Sequence, residues 1–259
     1  DMKILAKYGN DELARVWVAQ MRADPRSVVE FVEALQPPIP REEKWVLIVS
    51  SMFGCPVGCA MCDAGGEYAG PLTREEILAQ IDALVSSRHP DRKVRSSKFK
   101  VQFARMGEPS LNPAVLEALR ILPSIYDAPG LLVSLSTVAP ARAGRFFDEL
   151  LRIRDEHYQD GRFQLQFSIH TTDPEKRREI IPTLDVRADG GLRRALLPPR
   201  RRGPQGDPEL RADDRVPDRP HGHPRELRPQ TVPDQTDPHE PYTALLRGRI
   251  EIGHRSRFT

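Results

Sequence analysis

The chain has 259 residues, enough for one sizeable α/β domain or two small ones. Its 39 lysines and arginines nearly balance 37 aspartates and glutamates, leaving a formal charge of +2. That excludes a global cationic field as the basis of nucleic-acid binding and leaves any RNA contact to be local. No apolar run reaches the ~18 residues of a membrane span, and no basic stretch leads into an apolar one at the N-terminus, so a protein without membrane span or signal peptide, in the cytoplasm, is expected. Because the first residue is Asp1, the chain is expected to be a fragment or a trimmed form.

Asp11 to Met21 and Ser27 to Leu35 read as two short helices, followed by a proline-rich connector, Pro37 to Pro40. Residues 1–43 are therefore expected to be an N-terminal helical segment and connector. From Lys44 to about Thr183 strand and helix signals alternate. Trp45, Val46, Leu47, Ile48 and Val49 form a short apolar run, as for a strand buried on both faces. Thr73 and Glu76 then make a capping box for a helix with Ile77, Leu78, Ile81, Leu84 and Val85 on one face. Phe99, Val101 and Phe103 alternate up to Met106, Gly107, Glu108 and Pro109, after which Asn112 and Pro113 supply an N-cap and a first-turn proline. Leu131 to Ser136 is a third strand, Ala141 to Arg154 a third helix, and Phe163 to Ile169 a fourth strand. Thr172, Pro174 and Glu175 open a fourth helix. Four βα units in series predict a parallel sheet with right-handed crossovers, the start of a barrel or of a doubly wound sheet.

At Leu184 the composition changes. From there to Thr259 there is no lysine, tryptophan or methionine, while arginine, proline and aspartate dominate. One reading is a disordered tail. The other is a change of reading frame just after Thr183. Back-translations chosen for the purpose and read one base later turn Leu184 to Leu197 into WTFAQMADYGERFY, Gly206 to Pro220 into VTLNFALMTGFPID, and Leu227 to Pro241 into FDPKLFLIKLTPMN. All three use the same offset. Residues 184–259 are accordingly expected to be a frameshifted, disordered tail, and its His221, His223 and His239 and the arginines at 193–194 and 200–202 are given no role.

The three cysteines, Cys55, Cys59 and Cys62, are the only ones in the chain and have C-x3-C-x2-C spacing. An odd, tightly clustered set argues against disulfides and for a metal site in a reducing compartment. A short loop with this spacing can curl three thiolates around one face of a 4Fe-4S cube and leave the fourth iron open. That iron can chelate the amino and carboxylate groups of S-adenosylmethionine and pass an electron to its sulfonium. Gly54 and Gly58 ease the tight backbone. Structural zinc is the alternative, but no nearby histidine or fourth cysteine completes a tetrahedron. The tripeptide Gly107-Glu108-Pro109 could be a plain surface turn, yet its place after a strand favours a ligand site. His170 alone could be an ordinary loop histidine.

The segments VSSMFGCPVGCAMC, MGEPSLNP, LLVSLSTVAP and FQLQFSIHTTDPEKRREIIP resemble, in order, the motifs of the radical SAM family that contains the RlmN and Cfr ribosomal RNA adenine methyltransferases. Met61 departs from the aromatic residue usual before the last cysteine. The resemblance implies a partial (βα) barrel with cluster and cosubstrate at the C-terminal ends of the strands. It also implies a 4Fe-4S cluster on Cys55, Cys59 and Cys62 and S-adenosylmethionine on Gly107, Glu108, Ser134, Ser136, Ser168, Ile169 and His170. Which of the two serines makes the contact stays open, and no catalytic side chain is assigned. RNA and an electron donor such as flavodoxin or ferredoxin are the implied partners. The pattern fails at two points, because the family's methyl-carrying cysteine has no counterpart and Ile48 stands where a second cysteine precedes the cluster loop. A thiolate that accepts a methyl group cannot be replaced by an aliphatic chain. The asparagine of the family's TPMNP segment is also missing from the frame as it stands. The expectation is thus a radical SAM enzyme of unknown substrate, with a catalytically inactive iron–sulfur remnant as the alternative.

Overall fold

The computed structural model describes residues 2–64, 67–171 and 173–182, so the expected frameshifted tail and Thr172 lie outside the described residues. The chain opens with three strands, β1 (Lys3–Gly9), β2 (Ala14–Gln20) and β3 (Val28–Ala34), paired as an antiparallel meander. This corrects the two helices expected at Asp11 to Met21 and Ser27 to Leu35, and with them the helical 1–43 segment. The apolar residues there satisfy both a helical and an alternating spacing, and alternation prevails: Trp17, Ala19 and Met21 are buried together with Val29 and Phe31. Val16, Val18, Val28, Val29 and Val32 are β-branched, and such residues gain most where a neighbouring strand gives them a pleated surface to pack on. Pro37 to Pro40 belongs to a tight turn, closed by the Ile39 N–H donating to the Gln36 carbonyl at 2.9 Å, that sends the chain back antiparallel into β4 (Lys44–Val49).

After β4 the chain makes a two-residue ladder between β5 (Met52–Phe53) and β6 (Gly70–Pro71), then α1 (Arg74–Arg88). The expected βα alternation follows: β7 (Lys98–Phe103), α2 (Ala114–Ile125), β8 (Leu131–Thr137), α3 (Gly144–His157), β9 (Phe163–Phe167) and α4 (Pro174–Ile180). The sheet order is β1-β2-β3-β4-β7-β8-β9, and β4, β7, β8 and β9 run parallel. Asp173, rather than a threonine, caps α4, accepting from the Glu175 N–H at 2.9 Å. The third helix starts three residues later than expected, after a single 3-10 turn at Ala141–Ala143.

The two faces of the parallel strands differ. Trp45, Leu47 and Val49, then Phe99, Val101 and Phe103, then Val133 and Leu135, are fully buried against α1, α2 and α3 through Ile77, Ile81, Leu119, Leu150 and Ile153. Trp45 stacks on Phe99 with ring centroids 5.2 Å apart. The other face carries Lys44, Val46 and Ile48, Lys100 and Gln102, Ser134 and Ser136, and Gln164 and Gln166. β4 is therefore buried on one face, not on both, and alternates accordingly. The meander is tied to α1 by Glu33, which is 2% exposed and accepts from Arg41 Nη2 and Arg88 Nη2, both at 2.8 Å.

Candidate functional site

The three cysteines follow β4 at the C-terminal end of the parallel sheet, and the loop that carries them is clamped at its base. Ala69 N–H donates to the Phe53 carbonyl at 2.9 Å and Leu72 N–H to the Ser51 carbonyl at 3.1 Å. Gly54 (φ 69°) lies so close to the returning strand that a Cβ would stand 2.3 Å from the Glu67 carbonyl oxygen. Inside the loop the Cys62 N–H donates to the Cys59 carbonyl at 3.1 Å. Cys55 and Cys59 are half-buried and Cys62 is exposed. Burial pushes the Cys55 thiol up, while a hydrogen bond from the Val57 N–H opposes it and the charges of Glu108, Cys59 and Cys62 add to it. Burial also raises Cys59, reinforced by Cys62 and then Glu108, with Arg177 acting the other way. The turn that carries Glu108 abuts the entry of this loop, where the Ser51 N–H donates to the Met106 carbonyl at 2.8 Å. Among the described residues no three histidine, cysteine, aspartate or glutamate side chains converge closely enough to hold one metal ion.

Two buried amides that sequence reading missed as site residues fix the loop's ends. Gln80 of α1 is fully buried, its Oε1 accepting from the Ser50 N–H at 2.9 Å and its Nε2 donating to the Ser50 carbonyl at 3.1 Å. Asn112, expected only as a helix cap, does accept from the Ala114 N–H at 3.0 Å. Its Nδ2 also donates to the carbonyls of Ser51 (2.7 Å) and Leu72 (2.9 Å), bridging the entry and exit of the cysteine loop. Neither could be found from local pattern, since the partners lie 30 to 61 residues away.

Gly107 has φ 93°, and a Cβ there would stand 2.6 Å from Met52 Cβ and 2.8 Å from Ser51 Oγ. No side chain fits between β7's end and the strand that opens the cysteine loop. Gly107→Ala is expected to cost about 3 kcal/mol by combining left-handed backbone with a clash. Gly58→Ala, at φ 65° but with nothing nearer than Pro182 Cγ at 4.0 Å, should cost only about 1 kcal/mol. Thermal unfolding of the two variants checks the ranking.

Glu108 is 4% exposed. Its Oε1 accepts from the Ser110 N–H (3.1 Å), Ser110 Oγ (2.6 Å) and Thr137 Oγ1, and its Oε2 from the Val138 N–H (2.9 Å). The carboxylate therefore pins the turn after β7 to the end of β8, a structural duty that the motif does not announce. Oε2, with one donor, keeps acceptor capacity for a cation.

Ser134 and Ser136 both stand on the polar sheet face and both donate to Gln166 Oε1, at 3.3 and 3.1 Å, with Gln102 Nε2 donating to the same oxygen at 3.3 Å. Ser134 is fully buried and Ser136 half-buried. Gln102 and Gln166 are further members of this row that the sequence reading did not single out. Ser168, Ile169 and His170 follow β9, where the Ser168 N–H donates to the Thr137 carbonyl at 2.9 Å. Ile169 is 54% exposed, and His170 is exposed in the left-handed region at φ 59°. Arg177 of α4 donates to the carbonyls of Ser168 (3.0 Å), Ile169 and Val138 (3.2 Å).

No family model matches the chain. A protein of Halorhodospira halophila described as a dual-specificity RNA methyltransferase RlmN is 30% identical over 173 residues, 65% of this chain and 42% of that protein. Relatives from Synechococcus sp. (35% identical, 56% of this chain and 40% of that protein) and Thermus thermophilus (36%, 56% and 39%) carry the same description as a probable assignment. The chain thus spans about two fifths of the length of the curated relatives it matches. A crystal structure of a radical SAM methyltransferase from Sphaerobacter thermophilus superposes with a TM-score of 0.55 at 22% identity, covering 70% of this chain and 49% of that one, which shows the fold.

Over its described residues the chain is similar in sequence to RlmN-type proteins and shares the fold of a radical SAM methyltransferase. As in the expected partial barrel, the RlmN-like motif residues converge on one end of the sheet: the cysteine loop leaves β4, Gly107 and Glu108 leave β7, Thr137 and Val138 leave β8, and Ser168 to His170 leave β9. Such barrels hold their chemistry at this end. Among the described residues no helix is long and apolar enough to cross a membrane.

Proposed function

We propose that this chain carries the cluster- and cosubstrate-binding part of a radical SAM enzyme acting in RNA modification. Cys55, Cys59 and Cys62 hold a 4Fe-4S cluster. Glu108 Oε2 takes the ammonium of S-adenosylmethionine, and Gly107, Ser134, Ser136 and Ser168 to His170 line its remaining surface. The observation that carries the reading is the three-cysteine loop at the C-terminal end of β4, joined to the turn of Gly107 and Glu108 through the Ser51 and Met52 N–H groups, which donate to the Met106 carbonyl at 2.8 and 3.3 Å. The donor set fits: three soft thiolates at C-x3-C-x2-C spacing on one loop suit a cube in which each thiolate takes its own iron and the fourth iron stays open. When bound, such a cluster supplies one electron to split S-adenosylmethionine into methionine and a 5′-deoxyadenosyl radical.

The protein's own residues set the surroundings of that event. The raised Cys55 and Cys59 thiols are protonated at neutral pH in the empty loop, so cluster loading releases protons and becomes more favourable as pH rises. RNA as the substrate class rests on the names of the relatives, and the electron donor would be of the flavodoxin or ferredoxin kind. One departure from the family's cysteine pattern lies within the described residues, where Ile48 occupies the upstream cysteine position. Ile48 lies on the same sheet face as Gln102, Ser134 and Ser136, so the substitution is inside the site. The proposal also keeps the frame change after Thr183, which resequencing of the coding region there checks.

Anaerobic reconstitution of the full chain with iron and sulfide is expected to give broad visible absorption and, on dithionite reduction with S-adenosylmethionine, 5′-deoxyadenosine. Bound cluster without cleavage would identify an inactive iron–sulfur protein instead. Stoichiometric zinc in place of iron would overturn the reading.

A further inference from the structure

Arg177 has no role in the reading so far, yet its side chain joins several segments of the site. Its guanidinium forks across two strand ends, donating through Nη1 to the Ser168 carbonyl (3.0 Å) and the Ile169 carbonyl and through Nη2 to the Val138 carbonyl (3.2 Å). Those carbonyls belong to the segments that leave β8 and β9 at the chemical end of the sheet. The same short helix reaches the cysteine loop from its other end, where the Ala60 N–H, between Cys59 and Cys62, donates to the Ile180 carbonyl at 2.8 Å. Ile181, whose N–H donates to the Arg177 carbonyl at 2.7 Å, is 4% exposed and anchors that end of the helix.

We propose that Arg177 is a positioning residue that locks the Ser168 to His170 segment, the end of β8 and the cysteine loop into one body through α4, and that its positive charge acts on the cluster. The proposal deepens the radical SAM reading and rests on it for its redox part alone. Three carbonyls spaced along two strands require the planar, multi-donor fork of arginine, because the single ammonium of lysine reaches them only one or two at a time. The hydrogen bonds of Arg177 among the described residues all end on carbonyl oxygens, which hold the group without cancelling its charge. That charge sits about one helical turn from Ile180, whose carbonyl accepts from the Ala60 N–H inside the cysteine loop at 2.8 Å. A fixed cation near an iron–sulfur cluster favours its reduced form, since reduction adds a negative charge.

The test has two arms on the full chain. In the first, hydrogen exchange of the metal-free protein is compared with Arg177→Gln and Arg177→Lys. Both variants are expected to exchange roughly tenfold faster at Ala60 and Ser168, as loss of charge-assisted hydrogen bonds implies, with β4 and β7 unchanged. Unaltered exchange at both amides would overturn the lock, and this arm stands whether or not the chain binds a cluster. In the second, a one-electron redox titration of the reconstituted cluster with dithionite follows the midpoint potential. Arg177→Gln is expected to make reduction about tenfold less favourable, a downward shift of 59 mV for a one-electron couple, whereas Arg177→Lys keeps the charge and stays close to the parent. Equal potentials in all three proteins would overturn the electrostatic half. Failure of every protein, parent included, to take up iron would instead sink the radical SAM reading, leaving the first arm to decide the lock.

Discussion

Serine at any one of Cys55, Cys59 or Cys62 is expected to abolish both the iron–sulfur chromophore and 5′-deoxyadenosine formation while leaving the fold intact. A serine hydroxyl is a far weaker ligand for iron than a thiolate, and a cube held by two remaining cysteines has lost one of only three protein bonds. The loss of activity should exceed the roughly 10–100-fold that removal of an outer-shell partner costs in metal sites. Folding should be nearly indifferent. Cys62 is exposed, and at Cys55 a serine oxygen can still accept from the Val57 N–H. The loop itself is held by Asn112, Gln80 and the β5–β6 ladder rather than by sulfur. Circular dichroism with iron and sulfide analysis separates the two effects. A serine variant at any of the three positions that keeps a full complement of iron and cleaves S-adenosylmethionine would remove that cysteine from the cluster.

What the sequence disclosed was whatever depends on near neighbours. The Thr73 and Glu76 capping box forms as read, with the Glu76 N–H on Thr73 Oγ1 at 3.2 Å and the Thr73 N–H on Glu76 Oε2 at 2.8 Å. The parallel strands were legible because Phe99, Val101 and Phe103 alternate beside turn residues, and the three cysteines were legible as one cluster because they share a single loop. The first three strands were not, since Val16 to Met21 and Val28 to Ala34 suit either periodicity, and only pairing such as Trp17 with Phe31 decides between them. Within the site, the cysteines and Glu108 could be named from motif. Their supports could not: Asn112 and Gln80 act on carbonyls across the sheet, Gln166 reaches both candidate serines, and Arg177 acts across two strand ends. Sequence announces a ligand by its type and hides a brace, because a brace is defined by the distant backbone it meets.

Glu108 braces β7 to β8 and is the proposed cosubstrate ligand, and its substitutions should separate the two roles. Glu108→Ala is expected to cost about 3 to 5 kcal/mol of stability, since it leaves the buried Ser110 N–H, the half-buried Val138 N–H and the Thr137 hydroxyl without their acceptor. Glu108→Gln keeps the volume and an oxygen for the three donors at Oε1, but it sets an amide NH2 against the Val138 N–H, so roughly 1 to 2 kcal/mol should be lost. The glutamine also offers an ammonium no negative charge and no acceptor at that position, and its affinity for S-adenosylmethionine should fall by more than about tenfold, the worth of one charge-assisted hydrogen bond. Urea unfolding of the metal-free chain measures the first quantity, and calorimetric titration of the reconstituted chain with S-adenosylmethionine the second. The discriminating result is in the glutamine variant: a modest stability loss with a large affinity loss marks a cosubstrate ligand. A glutamine chain that binds S-adenosylmethionine as tightly as the parent would show that this carboxylate only ties β7 to β8.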